Sequence, residues 1–365
     1  MRNIAEAPGR MSLRLPPEPI PTPALLVDLD VFDANVAAMR TLVAGTGKTL
    51  RPHIKTHRTP ALALRQLGDH TSGVTCATVG EAEVMVHAGI TDVLIANEVV
   101  DAAKIGRLVR LAELAAVTVA VDSATGVDVL SGAAVRAGQT VGVLIDIDVM
   151  IHRCGVASPA EALALARMVE RSPGLRLHGI MGYEGRIRSE VPDRAGRIAS
   201  AYEQLATTLA VLLDAGVPVP VISAAGTATI REALLDPVVT ELQAGVYAVM
   251  EPELLRMGLP FACAVAVRGT VISSHPDRVV LDFGRRSVGM EYGSPVPLLP
   301  GVRQVNVSDE HTTLWTDGPA PALGTQVDLV PAQIRTTFNL HDEVVAVSDG
   351  QIMATWPIAA RGASR

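Results

Sequence analysis

A chain of 365 residues with 31 basic and 38 acidic side chains has a formal charge of −7, which argues against nucleic acid or an anionic membrane as main partner. With 48% hydrophobic and 19% charged residues it is globular rather than disordered, and long enough for two domains or one large barrel with an appendage. Three scattered cysteines, Cys76, Cys154 and Cys263, give neither a disulfide framework nor a thiolate zinc site, and without a leader pattern or an apolar run near about 18 residues the expected setting is cytoplasmic.

Residues 1–22 are Pro-rich and read as an extended arm. Phe32, Val36, Met39 and Val43 then recur at helical spacing. Eight apolar runs follow as strands: 50–54, 73–77, 92–96, 117–122, 141–147, 175–181, 219–223 and 241–244. Near-continuous apolar strands predict a parallel sheet covered on both faces. Between them lie amphipathic segments, one opened by the capping box Ser158-Pro159-Ala160-Glu161, another carrying Tyr202, Leu205, Leu209 and Leu212 on one face. This α/β pattern predicts a TIM-type (β/α)8 barrel over residues 23–252, with a doubly wound open sheet as the alternative. After Glu251 the runs alternate apolar and polar between Pro, Gly and Asp turns, predicting an all-β domain over residues 253–365.

Of the 31 basic residues only Lys48, Lys55 and Lys104 are lysines, so amine chemistry has three candidates. Lys55 sits in Arg51-Pro52-His53-Ile54-Lys55-Thr56-His57-Arg58 at the end of the first barrel strand, where barrels place their active sites. Two histidines and two arginines around an amine would lower its pKa and favour the neutral nucleophile. His53 and His57 are acid–base candidates. Ser223-Ala224-Ala225-Gly226-Thr227-Ala228-Thr229 follows the seventh strand, and Glu241-Leu242-Gln243-Ala244-Gly245-Val246-Tyr247 spans the eighth. Small residues there let a phosphate approach backbone N–H groups, while Thr and Tyr add hydroxyls. With a strand-end lysine they describe an aldehyde cofactor held by its phosphate and linked through an imine: pyridoxal 5′-phosphate.

RPHIKTH, DIDVMIHRCGV, GIMGYEG, SAAGTAT, TELQAGVY and the tail NLHDEVVAVSDGQIMATWPIAARG together resemble the D-threonine aldolase/D-serine dehydratase-like family. These are fold-type III pyridoxal-phosphate enzymes with an alanine-racemase-type barrel and a C-terminal β domain. The resemblance, from about Thr22 to Gly362, implies that Lys55 carries the cofactor and that Arg153 and Tyr183 line it. It implies that Gly226, Thr227, Gly245 and Tyr247 hold the phosphate, with Ser223 beside them, and that the enzyme is a homodimer acting on a small amino acid. The chain departs from the family pattern at Arg58, where a lysine often follows the second His, and in two further stretches. Where relatives carry Pro-x-His-x-Cys (or Asp) for a divalent metal, this chain has Pro331-Ala332-Gln333-Ile334-Arg335, and no metal is expected, because glutamine is a poor ligand and a guanidinium none. The usual YEGH reads Tyr183-Glu184-Gly185-Arg186, which assigns Arg186, Gln333 and Arg335 to substrate binding. The expected reaction is that of a lyase on a D-β-hydroxy amino acid, by retro-aldol cleavage or elimination. The alternatives are a metal-independent amino-acid racemase or epimerase, and a non-catalytic cofactor carrier.

Overall fold

The computed structural model describes residues 10–185, 187–188 and 190–364. The chain forms two compact units. Among the described residues, one comprises residues 10–39, Thr56–Arg65 and Val246–Gly362; the other comprises Arg40–Lys55, Gln66–Gly245 and residues 363–364.

The first strand, β1 (Ala24–Asp28), belongs to the former unit. The latter unit holds β2 (Thr49–Leu50), β3 (Val74–Cys76), β4 (Asp92–Glu98), β5 (Ala116–Val121), β6 (Val141–Ile147), β7 (Leu175–Gly182), β8 (Val221–Ala224) and β9 (Glu241–Leu242). They pair in parallel in the order β2-β9-β8-β7-β6-β5-β4-β3. Parallel bridges Leu50–Thr71 and His53–Thr75 join the two ends, so the sheet closes into a barrel and the open alternative is excluded. Each run expected as a barrel strand forms one, because a strand buried on both faces must be apolar throughout. Leu94, Ala120, Leu144 and Met181 cluster from four successive strands. Beside them lies a void of about 20 Å³ lined by Arg51, Thr118, His178 and Glu241, so the barrel is a packed core and not a pore. At Gly179 (φ +144°) a Cβ would stand 1.9 Å from the Val221 carbonyl oxygen, which restricts this β7 position to glycine.

The covering helices follow the sequence pattern. Pro159–Arg171 opens with the reciprocal Ser158–Glu161 capping box, and Arg194–Asp214 buries Tyr202, Leu205 and Leu212. Among the described residues no helix is long and apolar enough to cross a membrane.

The other unit is built on a largely antiparallel sheet of β10 (Val265–His275), β11 (Arg278–Leu281), β12 (Val296–Pro297), β13 (Val302–Val307), β14 (Thr312–Thr316), β15 (Gln326–Val330), β16 (Glu343–Ser348) and β17 (Gln351–Pro357). β1 lies inside it, antiparallel to β10 and parallel to β16. The contiguous division expected at residues 22 and 252 therefore differs from the structure at both ends. Residues from Arg10 onward are tied to this unit, the Arg10 carbonyl accepting the Cys263 N–H at 2.9 Å and the Ile20 N–H reaching Gln326 at 3.1 Å. The physical reason is that the buried run Ala24–Asp28 has the composition of a barrel strand, and only its pairing partners 240 or more residues later distinguish the two.

Candidate active site at the C-terminal mouth of the barrel

Beyond β2 the chain stays in the barrel wall through His53, whose N–H reaches the Ala244 carbonyl at 3.3 Å. A single 3-10 turn, Ile54–Thr56, then presents the half-buried Lys55. Its Nζ lies 5.8 Å from the centre of the Tyr183 ring, and Cζ of Arg153 lies 5.9 Å from the same ring. On Gly226 a Cβ would come 3.5 Å from the Tyr183 ring carbon, so the glycine backbone faces this aromatic ring. Lys55, Arg153, Tyr183 and Gly226 thus converge from the C-terminal ends of β2, β6, β7 and β8. The rival lysines are placed elsewhere. Lys48, ahead of β2, gives its ammonium to the carbonyls of Asp236 (2.5 Å) and Val239, and burial depresses its pKa. Lys104 lies in the first turn of the helix Ala102–Leu111, capped by Asp101.

The cationic crowd expected around Lys55 is not all there. Arg51 turns into the barrel, its Nε 2.9 Å from Glu241 and its Nη1 2.6 Å from Asp92, so two carboxylates neutralise it. Ser223 is buried at the end of β8, where its hydroxyl donates to Glu241 at 2.7 Å and accepts from Gln243 at 3.0 Å. The loop after β8 keeps its expected character: Ala225 is held at φ +69°, a left-handed conformation costly for a residue with a Cβ, and a 3-10 turn Thr227–Thr229 follows. Gly245 is buried just past β9. Tyr247, in the other unit, is fully buried and tilts onto Phe261 with ring centres 5.6 Å apart. His57 is buried edge-on to Phe32 and Phe338, at 6.5 and 6.3 Å, and its Nδ1 accepts the Thr59 N–H at 3.1 Å. In the neutral ring the proton is therefore on Nε2.

An acidic cluster stands beside Arg153 that the sequence reading did not identify. Glu98 ends β4, Asp122 follows β5 and Asp146 lies near the end of β6. A ligand atom of Glu98, of Asp122 and of Cys154 all fall within 4.8 Å of one another. Cys154 is half-buried and gives its thiol hydrogen to Glu98. Burial, then the charge and hydrogen bond of Glu98, raise the Asp146 carboxyl to about 8, against the opposing pull of Arg153. A shared proton relieves the crowding. The loop that carries Arg153 folds back on β6 through Val156, whose N–H reaches the Asp146 carbonyl at 2.9 Å. Gly155 sits there at φ +99°, where a Cβ would meet the Asp148 nitrogen at 2.5 Å. The signal was available: each acid closes an apolar run, at the strand ends where Lys55 was sought.

The raised Asp146 carboxyl fixes a sign. Its folded pKa exceeds the unfolded one, so its stabilising contribution is present in acid and is lost as pH climbs from about 4 towards 8. Asp146→Asn keeps the shape without the charge. Its melting temperature relative to the parent is expected to rise by about 3–4 °C between pH 6 and 9, since the two units between pH 6 and the folded pKa of about 8 correspond to roughly 2.7 kcal/mol. A constant difference across that range would show that Asp146 does not titrate there.

In the other unit Arg335 is not a free cation. Its Nε reaches the side-chain oxygen of Gln333 at 3.2 Å and its Nη2 lies 3.6 Å from the carboxylate of fully buried Glu251, which also accepts the Ile334 N–H at 3.3 Å. The guanidinium lies 5.7 Å from the centre of the Tyr292 ring. Gln333 is hydrogen-bonded to Arg335 and Arg335 is ion-paired with Glu251, and a guanidinium and an amide do not make a donor set that fits a divalent metal. Arg186 lies outside the described residues.

A closed parallel barrel, a half-buried lysine under an aromatic ring at its C-terminal mouth and a strained small-residue loop after β8 define a fold-type III pyridoxal-phosphate enzyme. The residues fit that cofactor: an amine, a ring to stack on, and a glycine backbone with no Cβ to fill the space between. Family models agree, "Alanine racemase, N-terminal domain" matching residues 27–252 and "Putative serine dehydratase domain" residues 264–347. The chain is 39% identical to a D-threonine aldolase of Arthrobacter sp over 362 residues, 95% of this chain and 94% of that one. It is 30% identical to a 3-hydroxy-D-aspartate aldolase of Paracoccus denitrificans, over 94% of this chain and 92% of the relative. The crystal structure of a D-threonine aldolase from Filomicrobium marinum superposes with a TM-score of 0.91 at 37% identity, covering 97% of this chain and 99% of that one. The chain belongs to the alanine-racemase-related D-threonine aldolase/D-serine dehydratase-like family, pyridoxal 5′-phosphate-dependent lyases.

Proposed function

We propose that this enzyme cleaves the Cα–Cβ bond of a D-configured β-hydroxy amino acid, releasing an aldehyde and glycine, and does so without a divalent metal. The observation that carries the reading is Lys55 set 5.8 Å from the Tyr183 ring in a chain 39% identical to a D-threonine aldolase. When bound, pyridoxal phosphate supplies the electron sink that stabilises the carbanion left by bond cleavage. Lys55 would hold the cofactor and exchange it with the substrate amine, Tyr183 would pack against it with Arg153 alongside, and Gly226, Thr227 and Gly245 would receive its phosphate. Tyr247 is retained from the family pattern as a phosphate contact. His53 and His57 are the proposed proton carriers, His57 through Nε2. Arg186 remains a proposed substrate contact, and the assembly a proposed homodimer.

D-threonine incubated with the enzyme is expected to yield acetaldehyde and glycine in equal amounts. Release of 2-oxobutanoate and ammonia would instead establish elimination, the second reading, which the serine dehydratase match over 264–347 supports. Solvent deuterium at Cα with inversion, and no aldehyde, would establish a racemase. The Gln333–Arg335–Glu251 arrangement supports metal independence, so dialysis against EDTA is expected to leave the rate within about twofold. Activity that disappears with EDTA and returns with Mn²⁺ or Zn²⁺ would overturn it.

A further inference from the structure

Tyr183 faces Lys55, and its neighbour Glu184 goes beneath the loop after β8. Glu184 is buried to 2% exposure and one of its oxygens accepts the hydroxyl proton of Thr229. That hydroxyl oxygen accepts in turn the N–H of Gly226 at 3.2 Å. The other carboxyl oxygen, Oε2, is buried with no hydrogen-bond partner among the described residues. The titratable group facing it is Tyr202 on the helix Arg194–Asp214; Glu232 and Asp236 act on Tyr202 in turn, and Arg194 is committed to Glu232. Among the described residues no cation is bonded to this carboxyl, and an ionised carboxylate with one oxygen lacking a hydrogen bond is expensive to bury. It would also place a negative charge one hydroxyl away from the Gly226 N–H, in the loop assigned above to a phosphate dianion.

We propose that Glu184 is the positioning residue of the phosphate loop and acts as a neutral acid: the loop accepts a phosphate group only while Glu184 carries its proton. The inference rests on the reading of this loop as the phosphate site. Burial raises the Glu184 carboxyl above its ordinary range, against the Thr229 hydroxyl and the loop N–H groups, which favour the charged form. A phosphate dianion above the loop adds a like charge and holds the proton more firmly.

The test compares affinities of the full-length protein, stripped of cofactor, for pyridoxal 5′-phosphate and phosphate-free pyridoxal at pH 7 and 9. The ratio of the two affinities isolates the phosphate. In the parent it is expected to fall with rising pH, by up to about tenfold for each pH unit once Glu184 ionises, whereas in Glu184→Gln, neutral throughout, it should hold within about twofold. An equal fall in both proteins, no fall in the parent, or a collapsed ratio in Glu184→Gln at pH 7 would each overturn the proposal. Thr227→Val tests the underlying reading separately: a phosphate preference it leaves intact would show that the loop is not the phosphate site. Should Glu184→Gln not fold, calorimetry of the parent in two buffers of different ionisation enthalpy still decides. Proton uptake above pH 7 with pyridoxal phosphate beyond that with pyridoxal supports the proposal, and equal uptake refutes it.

Discussion

Lys55→Ala is expected to abolish covalent attachment of pyridoxal phosphate, to remove the absorbance band at about 410–430 nm, and to lower turnover by at least about a thousandfold. Elimination and placement both single out Lys55. Three lysines exist; Lys48 spends its ammonium on two backbone carbonyls at the N-terminal end of β2, and Lys104 stands in the first turn of a covering helix. Only Lys55 is delivered to the barrel mouth, by a turn that the closing pairs at Leu50 and His53 hold in register. Lys104→Ala should keep the band and the rate. Lys48→Ala should keep the band while losing stability, since two buried carbonyls lose their donor. Persistence of the band in Lys55→Ala, judged on borohydride-reduced protein by peptide mapping, would move the attachment elsewhere and end the present assignment.

Arg51→Met is expected to cost about 3–5 kcal/mol in urea unfolding, the largest stability effect of a single exchange in the barrel. Arg51 lies inside the closed sheet, bonded to Glu241 and Asp92, and Glu241 also accepts the hydroxyls of Ser72 at 2.6 Å and Ser223 at 2.7 Å. Removing the guanidinium strands Glu241, which is 3% exposed, as a charge with only hydroxyl donors. The double exchange Arg51→Met with Glu241→Gln should recover about half of the loss, because the orphaned charge goes too. A single-exchange cost below about 1 kcal/mol would mean that water already reaches the pair.

The same arginine shows where sequence reading reaches its limit. Spacing places Arg51 four residues before Lys55, but it does not tell which residues of the wall point inward, and a one-residue change of facing turns an active-site cation into a core ion pair. All eight barrel strands were legible because burial on both faces writes apolar runs, whereas closure rests on two isolated bridges that composition does not encode. The acids at 98, 122 and 146 and the buried Glu184 were visible as residues; what made them a site was the adjacency of strands four, five and six and the descent of residue 184 under a loop more than 40 residues later. Arg335 was rightly singled out as a departure, while its partner Glu251 could be found only in three dimensions.

β1 sets a schedule for the newborn chain. Leu26 pairs with Ala266 on one side and Val345 on the other, so the strand has no sheet neighbour until some 240 further residues have been made and lacks its second until some 320 have. At about 5–20 residues per second this apolar segment waits roughly 12–48 s for the first partner and roughly 16–64 s for the second. The barrel strands, β2 to β9, are all complete before β10 is translated. Ribosome-bound chains stopped after residue 250 should therefore present an unpaired, sticky N-terminal strand beside a barrel whose strands are all in hand, and it is there that chaperones would be most needed.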